Sequence, residues 1–466
     1  MEAEAVPPRV VISSWKGKSG KTLAVMALIR ALSKMGLKVS VFKVGPDYID
    51  PSYHRAVSGS PSRNLDYVLM GAGVVERFSR YSRGSDIALV EGDHGLYDSA
   101  DGLTELGSTA QVAKLLGAPV VLVIDGERTN RTVGALVRGI KLFDPGVKVV
   151  GAILTNLVSR QVDRITRIVE AEGVAVIGHI LRDERISEGM AYRHLGLTHA
   201  AELGGAWQDG VLRPEVLSTL DAGKLVSLAK EGSEVLLPFS TGDGPKAGTP
   251  VKAGVLAGRP FTFYYPETIE RLSNLGSVVF VDPEADQNLP EVDILLIGGG
   301  FPEVYASGLE ANRALRSDIR RFVDRGGHVY AECGGLMYLT DSLVYNDREY
   351  DMVGAIQGAT TLTRRPVAHG YAVAKVLSDT PIAPAGTTLK GHEFHYSRIA
   401  LGREYDLALS YEKGSGIVGG RDGITVNNAY AHYMHLHPDT YDFVGAMVDH
   451  LHGGQTEVRP ARRTFS

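Results

Sequence analysis

The chain has 466 residues and a single cysteine, Cys333, which lies in a segment suited to present a nucleophile. The apolar run 329–331 predicts a short strand that ends near this thiol, and Gly334 and Gly335 follow it ahead of helix-favouring residues. A strand, a tight turn and a helix in that order lift a side chain out of the backbone and direct a helix N-terminus at it. The alternative is a buried cysteine that packs as a small hydrophobic side chain. The pattern favours the nucleophile.

A thiol nucleophile needs a base and donors for an oxyanion. The segment 429–438 contains the histidines His432, His435 and His437, and strand alternation would place the last two on one face. These imidazoles could instead bind a metal, although no acidic or thiolate residue lies beside them at a known zinc spacing. Gly298, Gly299 and Gly300 follow a predicted strand and offer backbone N–H groups to an oxyanion.

A second reaction centre is indicated by K-G-K-S-G-K-T, between a predicted first strand, Arg9–Ser14, and a predicted first helix, Thr22–Lys34. Trp15 occupies the position of the first glycine of a strict P-loop, so the segment fits a variant loop with an additional lysine. Backbone N–H groups and the helix dipole favour a phosphate, and an adenine nucleotide is expected. The alternative is a basic turn without a ligand. The predicted nucleotide-binding residues are Lys16, Gly17, Ser19, Gly20, Lys21 and Thr22.

Acidic residues follow two further predicted strands. F-K-V-G-P-D-Y-I-D-P places Asp47 and Asp50 just after one strand, and E-G-D-H-G-L-Y-D starts at the end of another with Glu91 and continues to Asp98. Carboxylates at such strand ends could hold Mg²⁺ with the hydroxyl of Thr22, or contact a substrate. Proline and aspartate are also common in ordinary turns.

Strands and helices alternate through most of the sequence. Apolar runs at 37–44, 86–90, 119–124 and 149–154 predict strands of a parallel sheet covered on both faces. A turn-rich stretch at 241–250 predicts a linker, and a second α/β alternation starts at Val251. We therefore predict a first domain at 1–240 and a second at 251–466.

Composition limits the classes of function. The net charge of −5 gives no reason to expect a nucleic acid as partner. One cysteine rules out an internal disulfide, and no signal peptide or long apolar run is evident, so we expect a cytoplasmic protein without a membrane segment. The sequence leaves open whether the chain forms a homodimer.

Taken together and in order, these motifs resemble the cobyrinic acid a,c-diamide synthase family. The resemblance runs from about Arg9 to His450 and includes S-R-N-L-D, G-G-G-F-P-E, E-C-G-G-L-M-Y-L, G-H-E-F-H-Y-S and Y-M-H-L-H besides the acidic motifs above. It implies an N-terminal P-loop domain of the dethiobiotin-synthetase type with a parallel sheet. It also implies a C-terminal class I glutamine amidotransferase domain of α/β type.

The resemblance also implies roles for individual residues. Cys333 would be the glutaminase nucleophile and His435 its base, with Gly299 and Gly300 near the oxyanion. Lys21 and Thr22 would bind ATP, and Thr22, Asp47 and Glu91 would bind Mg²⁺. Tyr48, Asp50 and Asp98 would lie near the substrate. No acidic third member of the glutaminase triad is assigned.

The implied reaction is an ATP-dependent amidation of the a and c acetates of a tetrapyrrole, cobyrinate in cobalamin biosynthesis, with glutamine as the ammonia donor. An acyl phosphate and channelled ammonia would be the intermediates. Charged residues at 15–18, 93–94 and 126–131 depart from the family pattern and leave the acceptor open. Nickel-sirohydrochlorin (for the methanogen cofactor F430) and sirohaem are alternatives, as is amidation of other side chains, as in cobyric acid formation. A partitioning-type ATPase switch is a more distant alternative.

Overall fold

The computed structural model describes residues 6–190, 192–193, 196–204, 207–236 and 250–453, and the chain forms two compact units. The predicted linker at 241–250 lies, apart from Pro250, outside the described residues. The domain boundaries at 240 and 251 therefore stay predictions.

The first unit alternates strands with helices. Its strands are β1 (Arg9–Ser14), β2 (Val39–Val44), β3 (Arg63–Leu65), β4 (Ile87–Glu91), β5 (Val120–Asp125), β6 (Val149–Leu157), β7 (Ala175–Leu181), β8 (Tyr192–Arg193) and β9 (Gly196–Leu197). Its helices are α1 (Lys21–Lys34), α2 (Ile49–Ser58), α3 (Tyr67–Met70), α4 (Gly73–Tyr81), α5 (Thr109–Leu115), α6 (Thr132–Phe143), α7 (Val162–Glu170), α8 (Glu184–Gly189), α9 (Trp207–Val211), α10 (Pro214–Leu217) and α11 (Ala222–Gly232). Short 3₁₀ turns occur at Ser159–Gln161 and Ala200–Glu202.

Seven of these strands form a parallel sheet in the order β3-β2-β4-β1-β5-β6-β7. Side chains alternate between its faces, so Val10 and Ile12 enter one apolar core while Val11 enters the other. Both faces are buried by helices, which explains the continuous apolar runs of the sequence. The predicted parallel-sheet domain is confirmed, and the carboxyl ends of β1, β2, β4 and β5 meet at one edge.

The second unit contains more and shorter strands. They are β10 (Val251–Leu256), β11 (Phe261–Phe263), β12 (Gly276–Val281), β13 (Ile294–Ile297), β14 (Gly299–Gly300), β15 (His328–Glu332), β16 (Thr340–Tyr345), β17 (Arg348–Asp351), β18 (Ile356–Leu362), β19 (Ala368–Val376), β20 (Thr388–His395), β21 (Ser397–Leu401), β22 (Leu409–Lys413), β23 (Arg421–Asp422), β24 (Ile424–Val426), β25 (Ala429–His432) and β26 (His435–Leu436). The helices are α12 (Pro266–Leu275), α13 (Ala306–Ala311), α14 (Arg313–Asp324), α15 (Gly334–Leu339) and α16 (Phe443–Leu451).

A six-stranded sheet in the order β12-β10-β13-β15-β25-β24 is the centre of this unit, parallel except for β24. Leu295 and Ile297 face one apolar core, whereas Ile294 and Leu296 face the other. A four-stranded sheet, β17-β16-β18-β21, and a five-stranded sheet, β23-β22-β19-β20-β26, are added to it. The predicted second α/β unit is confirmed. Across the described ranges, no helix has the length and apolarity to cross a membrane.

Candidate active sites

Cys333 occupies the turn between β15 and α15 with a strained backbone, at φ 48° and ψ −99°. The turn is tight because a β-carbon on Gly335 would lie 2.2 Å from the carbonyl oxygen of Ile297. Only glycine fits there. The sequence-predicted elbow is therefore present, and it brings the thiol to the carboxyl end of a central strand.

His435 lies beside this thiol on β26. Its ring is buried and stacks on His392 of β20 with ring centroids 4.9 Å apart. Burial alone would lower the pKa of His435, but the negative charges of Cys333 and Glu332 beside the ring raise it to about 10. This arrangement favours an imidazolium beside the sulfur of Cys333, the electrostatic setting in which a cysteine acts as a nucleophile.

The glycines predicted at the oxyanion adjoin the same pair. Gly299 packs so closely on His435 that an added β-carbon would lie 2.5 Å from ring atom Cε1. The backbone nitrogen of Gly300 lies 3.0 Å from the place that a β-carbon on Gly334 would occupy. The Gly298 N–H already donates to the Tyr264 hydroxyl at 2.8 Å, which leaves the next two glycines as candidate donors.

The three histidines of 429–438 do not converge. His432 Nε2 lies 3.1 Å from the Tyr330 hydroxyl, and His437 Nε2 lies 3.7 Å from a carboxylate oxygen of Glu267. His435 contacts the thiol. Strand geometry also fails to pair His435 with His437, because β26 ends at Leu436.

In the first unit, the loop after β1 has the shape of a phosphate cradle. Lys18 and Gly20 adopt positive φ of 58° and 86°, and Ser19 is fully buried with its hydroxyl donating to Lys16 O at 3.1 Å. The Thr155 hydroxyl donates to Ser19 O at 2.9 Å and fixes the loop from the end of β6. The loop leads directly into α1, whose N-terminal N–H groups suit an anion.

Two loop lysines differ in their surroundings. The Lys21 ammonium donates to His94 O at 2.6 Å, and burial, followed by the charge of Lys43, lowers its pKa. The Lys16 ammonium lies 3.6 Å from Asp125 on a half-exposed side chain. Gly17 approaches His94, since a β-carbon there would lie 3.8 Å from that ring. The predicted nucleotide-binding residues are thus contiguous around one loop.

Thr22 connects this loop to the acidic residues. Its hydroxyl lies 2.8 Å from Glu91 Oε1 and 3.1 Å from Asp50 Oδ1. Asp47, predicted as a magnesium ligand, instead accepts from the Ile49 N–H at 2.7 Å and lies 3.8 Å from the ammonium of Lys43. The structure therefore brings Thr22 together with Glu91 and Asp50.

Lys43 is the centre of this acidic cluster and was missed by the sequence reasoning. Its side chain is 2% exposed, and its ammonium lies 2.7 Å from Asp50, 3.7 Å from Glu91 and 3.9 Å from Asp93. Burial opposes the charge, but these carboxylates raise the pKa of Lys43 well above its usual value. Lys43 in turn holds the pKa of Asp50 below its usual range against burial, whereas burial and the Asp50 charge raise that of Asp47.

His54 is a second residue that sequence reasoning missed. It is fully buried on α2, with Nε2 2.6 Å from Glu91 Oε2 and Nδ1 2.9 Å from the Ser62 hydroxyl. Glu91 is therefore held from two sides, by Thr22 and by His54. In the sequence, His54 is marked only by its position four residues after Asp50, the spacing of one helical turn.

The donor set suits magnesium. Thr22, Asp50 and Glu91 offer hard oxygen ligands, which Mg²⁺ prefers, and Mg²⁺ usually takes its other ligands from water and phosphate. In the part of the chain that the structure describes, no group of three or more histidine, cysteine and acidic side chains is placed to hold a metal by itself. Any Mg²⁺ would then depend on the nucleotide for the rest of its ligands.

The residues predicted near the substrate lie on the same edge of the sheet. Tyr48 immediately precedes α2 and is buried. Asp98 accepts from the Gly95 N–H at 2.8 Å, and Gly95 cannot bear a side chain because a β-carbon would lie 2.8 Å from Trp15 O. Asp98 therefore fixes the turn at Gly95, and the backbone of Gly95 packs against the phosphate loop at Trp15.

A cavity of about 210 Å³ opens beside Gly20. Its lining residues come from α1, the ends of β6 and β7 and the start of α8; they include Leu23, Thr155, Asn156, Leu181 and Arg182. Its lining combines apolar side chains with polar groups, as small-molecule sites commonly do.

The comparisons with known proteins agree with this division. Residues 10–195 match the CobQ/CobB/MinD/ParA nucleotide binding domain, and residues 252–443 match the CobB/CobQ-like glutamine amidotransferase domain. A cobyrinate a,c-diamide synthase of Archaeoglobus fulgidus is 43% identical over 92% of this chain and 94% of its own length. One from Methanosarcina acetivorans is 39% identical over 95% of each chain. A hydrogenobyrinate a,c-diamide synthase of Streptomyces coelicolor is 39% identical over 92% of this chain and 94% of its own. The chain therefore belongs to the cobyrinate a,c-diamide synthase family.

Proposed function

We propose that this chain amidates the a and c acetate carboxylates of cobyrinate, with ATP as the activating substrate and glutamine as the nitrogen donor. The observation that carries the proposal is the presence of two reaction centres in one chain of this family. One is the thiol–imidazolium pair of Cys333 and His435, and the other is the phosphate loop joined to acidic residues through Thr22. Such an enzyme is a glutamine-dependent, amide-forming ligase.

In the second unit, Cys333 sulfur attacks the side-chain amide carbon of glutamine. The negative oxygen that forms accepts hydrogen bonds from the backbone N–H groups of Gly299 and Gly300. His435 gives its proton to the leaving nitrogen, so ammonia departs and a thioester remains. Water then attacks the thioester with His435 as the base, and glutamate leaves as the thiol is restored.

In the first unit, a substrate carboxylate attacks the γ-phosphate of ATP and displaces ADP. The carboxylate alone is a poor electrophile, and the acyl phosphate that forms carries a good leaving group. Lys21 moves from the His94 carbonyl to the phosphates and balances their charge. Ammonia attacks the acyl carbon, phosphate leaves, and the nitrogen loses a proton to give the amide. Repetition on the second acetate completes the diamide.

We further propose Thr22, Glu91 and Asp50 as the protein's ligands for Mg²⁺, with Asp47 retained as a predicted ligand. A bound Mg²⁺ would neutralise phosphate charge. Lys43, which lies among these carboxylates, would keep them ionised and pre-arranged before the nucleotide arrives. Tyr48 and Asp98 would contact the macrocycle side chains, as the family resemblance implies.

The cavity beside Gly20 is our candidate site for adenine. Gly20 belongs to the phosphate loop, so a nucleotide whose phosphates lie on α1 can extend its base between Leu23 and Leu181. Asn156 lies at the rim with its amide nitrogen 3.2 Å from Asp125 Oδ1, a side chain with both a donor and an acceptor for a base edge.

The acceptor is tested by incubating the purified chain with ATP, glutamine and one macrocycle at a time, followed by mass spectrometry. Cobyrinate and its metal-free form, hydrogenobyrinate, should each be tried beside nickel-sirohydrochlorin and sirohaem. We expect two amides on cobyrinate. Amidation confined to a sirohydrochlorin-type macrocycle would refute the assigned substrate, and ATP hydrolysis without glutamate release would instead indicate a nucleotide switch.

A further inference from the structure

The glutaminase centre still lacks an acid that orients its histidine, and Glu332 is placed for this role. Glu332 ends β15, directly before Cys333, and its side chain is buried. Its carboxylate oxygen Oε2 lies 3.6 Å from His435 Nδ1. We propose that Glu332 is the positioning carboxylate of this centre, so that Cys333, His435 and Glu332 act as a triad whose acid precedes the nucleophile.

The carboxylate is held in a fixed orientation. Its other oxygen, Oε1, accepts from the Tyr330 hydroxyl at 2.5 Å and from the Leu436 N–H at 3.0 Å. Leu436 follows His435 directly, so one carboxylate joins the strand of the nucleophile to the strand of the base. Burial keeps Tyr330 protonated by raising its pKa well above the usual value, and its hydroxyl remains a donor.

Other acids near this histidine segment are engaged elsewhere. Two residues after His435 the chain has His437 and not an acid, and its Nε2 lies 3.7 Å from Glu267. Glu393 is buried too, but it accepts from the backbone N–H groups of Ser415 at 2.7 Å and Gly416 at 2.9 Å. Glu393 therefore fixes a loop, whereas Glu332 faces the ring.

The chemical effect follows from the two ring nitrogens. With Nδ1 directed at a carboxylate, Nε2 is left for the thiol, and the imidazolium is stabilised during transfer of the proton to the leaving ammonia. The titratable groups around His435 are Cys333, Glu332, Glu393 and the imidazoles of His392, His395, His432 and His437. Of these, Cys333, Glu332 and Glu393 favour its charged form, and the imidazoles of His392, His395 and His432 oppose it.

Because the chain has one cysteine, alkylation by iodoacetamide reports on this thiol alone. Glu332→Gln removes the charge with little change in shape. We expect the apparent pKa of alkylation to rise, because a less stable imidazolium supports the thiolate less. We also expect glutaminase kcat to fall by a factor on the order of 10²–10⁴, with little change in KM for glutamine. Amidation driven by added ammonia should persist.

Glu267→Gln is the matched control, since it neutralises the acid beside His437, and its alkylation profile should stay that of the unmodified chain. A wild-type profile and kcat in Glu332→Gln would overturn the proposal. If Glu332→Gln also lost the ammonia-driven reaction, its fold would be impaired, and Glu332→Asp would be the test variant instead. This substitution keeps the negative charge but moves it away from His435 Nδ1. An intermediate alkylation pKa supports the triad, and an unchanged one refutes it.

This inference rests on the proposed glutaminase reaction, and the two can fail separately. If the unmodified chain releases no glutamate from glutamine, the proposed function is wrong. If it does, and Glu332→Gln behaves as the unmodified chain, only the role of Glu332 is wrong.

Discussion

At the scale of single residues, the glutaminase centre depends on close packing that does not accommodate an added methyl group. Gly299 is the clearest case, because its backbone lies against the imidazole of His435. The strained backbone of Cys333 sets the position of the thiol. The carboxylate of Glu332 lies 3.6 Å from His435 Nδ1 and orients the ring. A displacement of about 1 Å in such a group can cost roughly 10²-fold in rate.

We predict that Gly299→Ala lowers glutaminase kcat/KM by about 10²-fold. The new β-carbon would lie 2.5 Å from His435 Cε1, so the ring must move away from the thiol. Glutamate release measures the effect. Gly139→Ala is the control, because a β-carbon there meets nothing within 4 Å, and it should leave the rate unchanged. Equal rates for both variants would contradict the assigned position of the base.

At the scale of the elements, one sheet edge of the first unit gathers residues from distant parts of the chain. β1 supplies the phosphate loop, β2 leads to Asp47 and Asp50, and β4 ends in Glu91. Helix α2 then brings His54 back to Glu91 with Nε2 at 2.6 Å. When a residue that orients a metal-binding carboxylate in this way is removed, the enzyme usually loses metal affinity or activity.

We predict that His54→Asn lowers ammonia-driven amidation about 10- to 100-fold and raises the Mg²⁺ concentration needed for half-maximal rate. The physical reason is that Glu91 loses the partner that fixes its Oε2. Glutaminase activity of the same variant is the internal control and should be unchanged. Unaltered Mg²⁺ dependence would show that His54 has only a packing role.

The elements also show what the sequence could predict. The first strand, Arg9–Ser14, was predicted with its observed bounds, because burial on both faces leaves a strong signal. The strands between 340 and 426 were not predicted. Their mixed burial, as in Arg348–Asp351, gives no clear alternation.

The same limit applies to the sites. Cys333 and Lys21 were found from local motifs, since a turn or loop is encoded by neighbouring residues. His54 and Glu332 act on Glu91 and His435 across 37 and 103 residues of chain, and tertiary pairing alone brings them together. In the sequence, Lys43 is an ordinary lysine at the end of a strand, because only the folded chain brings four carboxylates to its ammonium.

At the scale of the whole molecule, the second unit buries several neutral imidazoles, which makes its stability depend on pH. Burial lowers the pKa of His395 to about 4, from 6.5 for an exposed histidine. Between these values the unfolded chain binds a proton that the folded chain does not, so stability falls as pH falls through this window. Burial raises the pKa of Asp422 to about 7, from 3.8 for an exposed aspartate. Between these values the folded chain binds a proton that the unfolded chain does not, so the contribution of Asp422 to stability falls as pH rises.

We predict that His395→Asn flattens the dependence of unfolding free energy on pH by up to about 1.4 kcal/mol per pH unit between pH 6.5 and 4. Asparagine keeps a donor near Nδ1 for the Ser397 carbonyl, 3.0 Å away, but cannot be protonated. Denaturant titrations at several pH values measure this. The exposed His452→Asn is the control, and the same flattening there would refute the assignment.

The central claim is that one unit makes ammonia and the other uses it. The direct measurement is the number of amides added to cobyrinate, with ATP and either glutamine or ammonium chloride, by the unmodified chain and by Cys333→Ala. We predict that the unmodified chain forms the diamide from both nitrogen sources and that Cys333→Ala forms it from ammonium alone, without glutamate release. Diamide formation from glutamine by Cys333→Ala, or failure of ammonium to support that variant, would contradict the account.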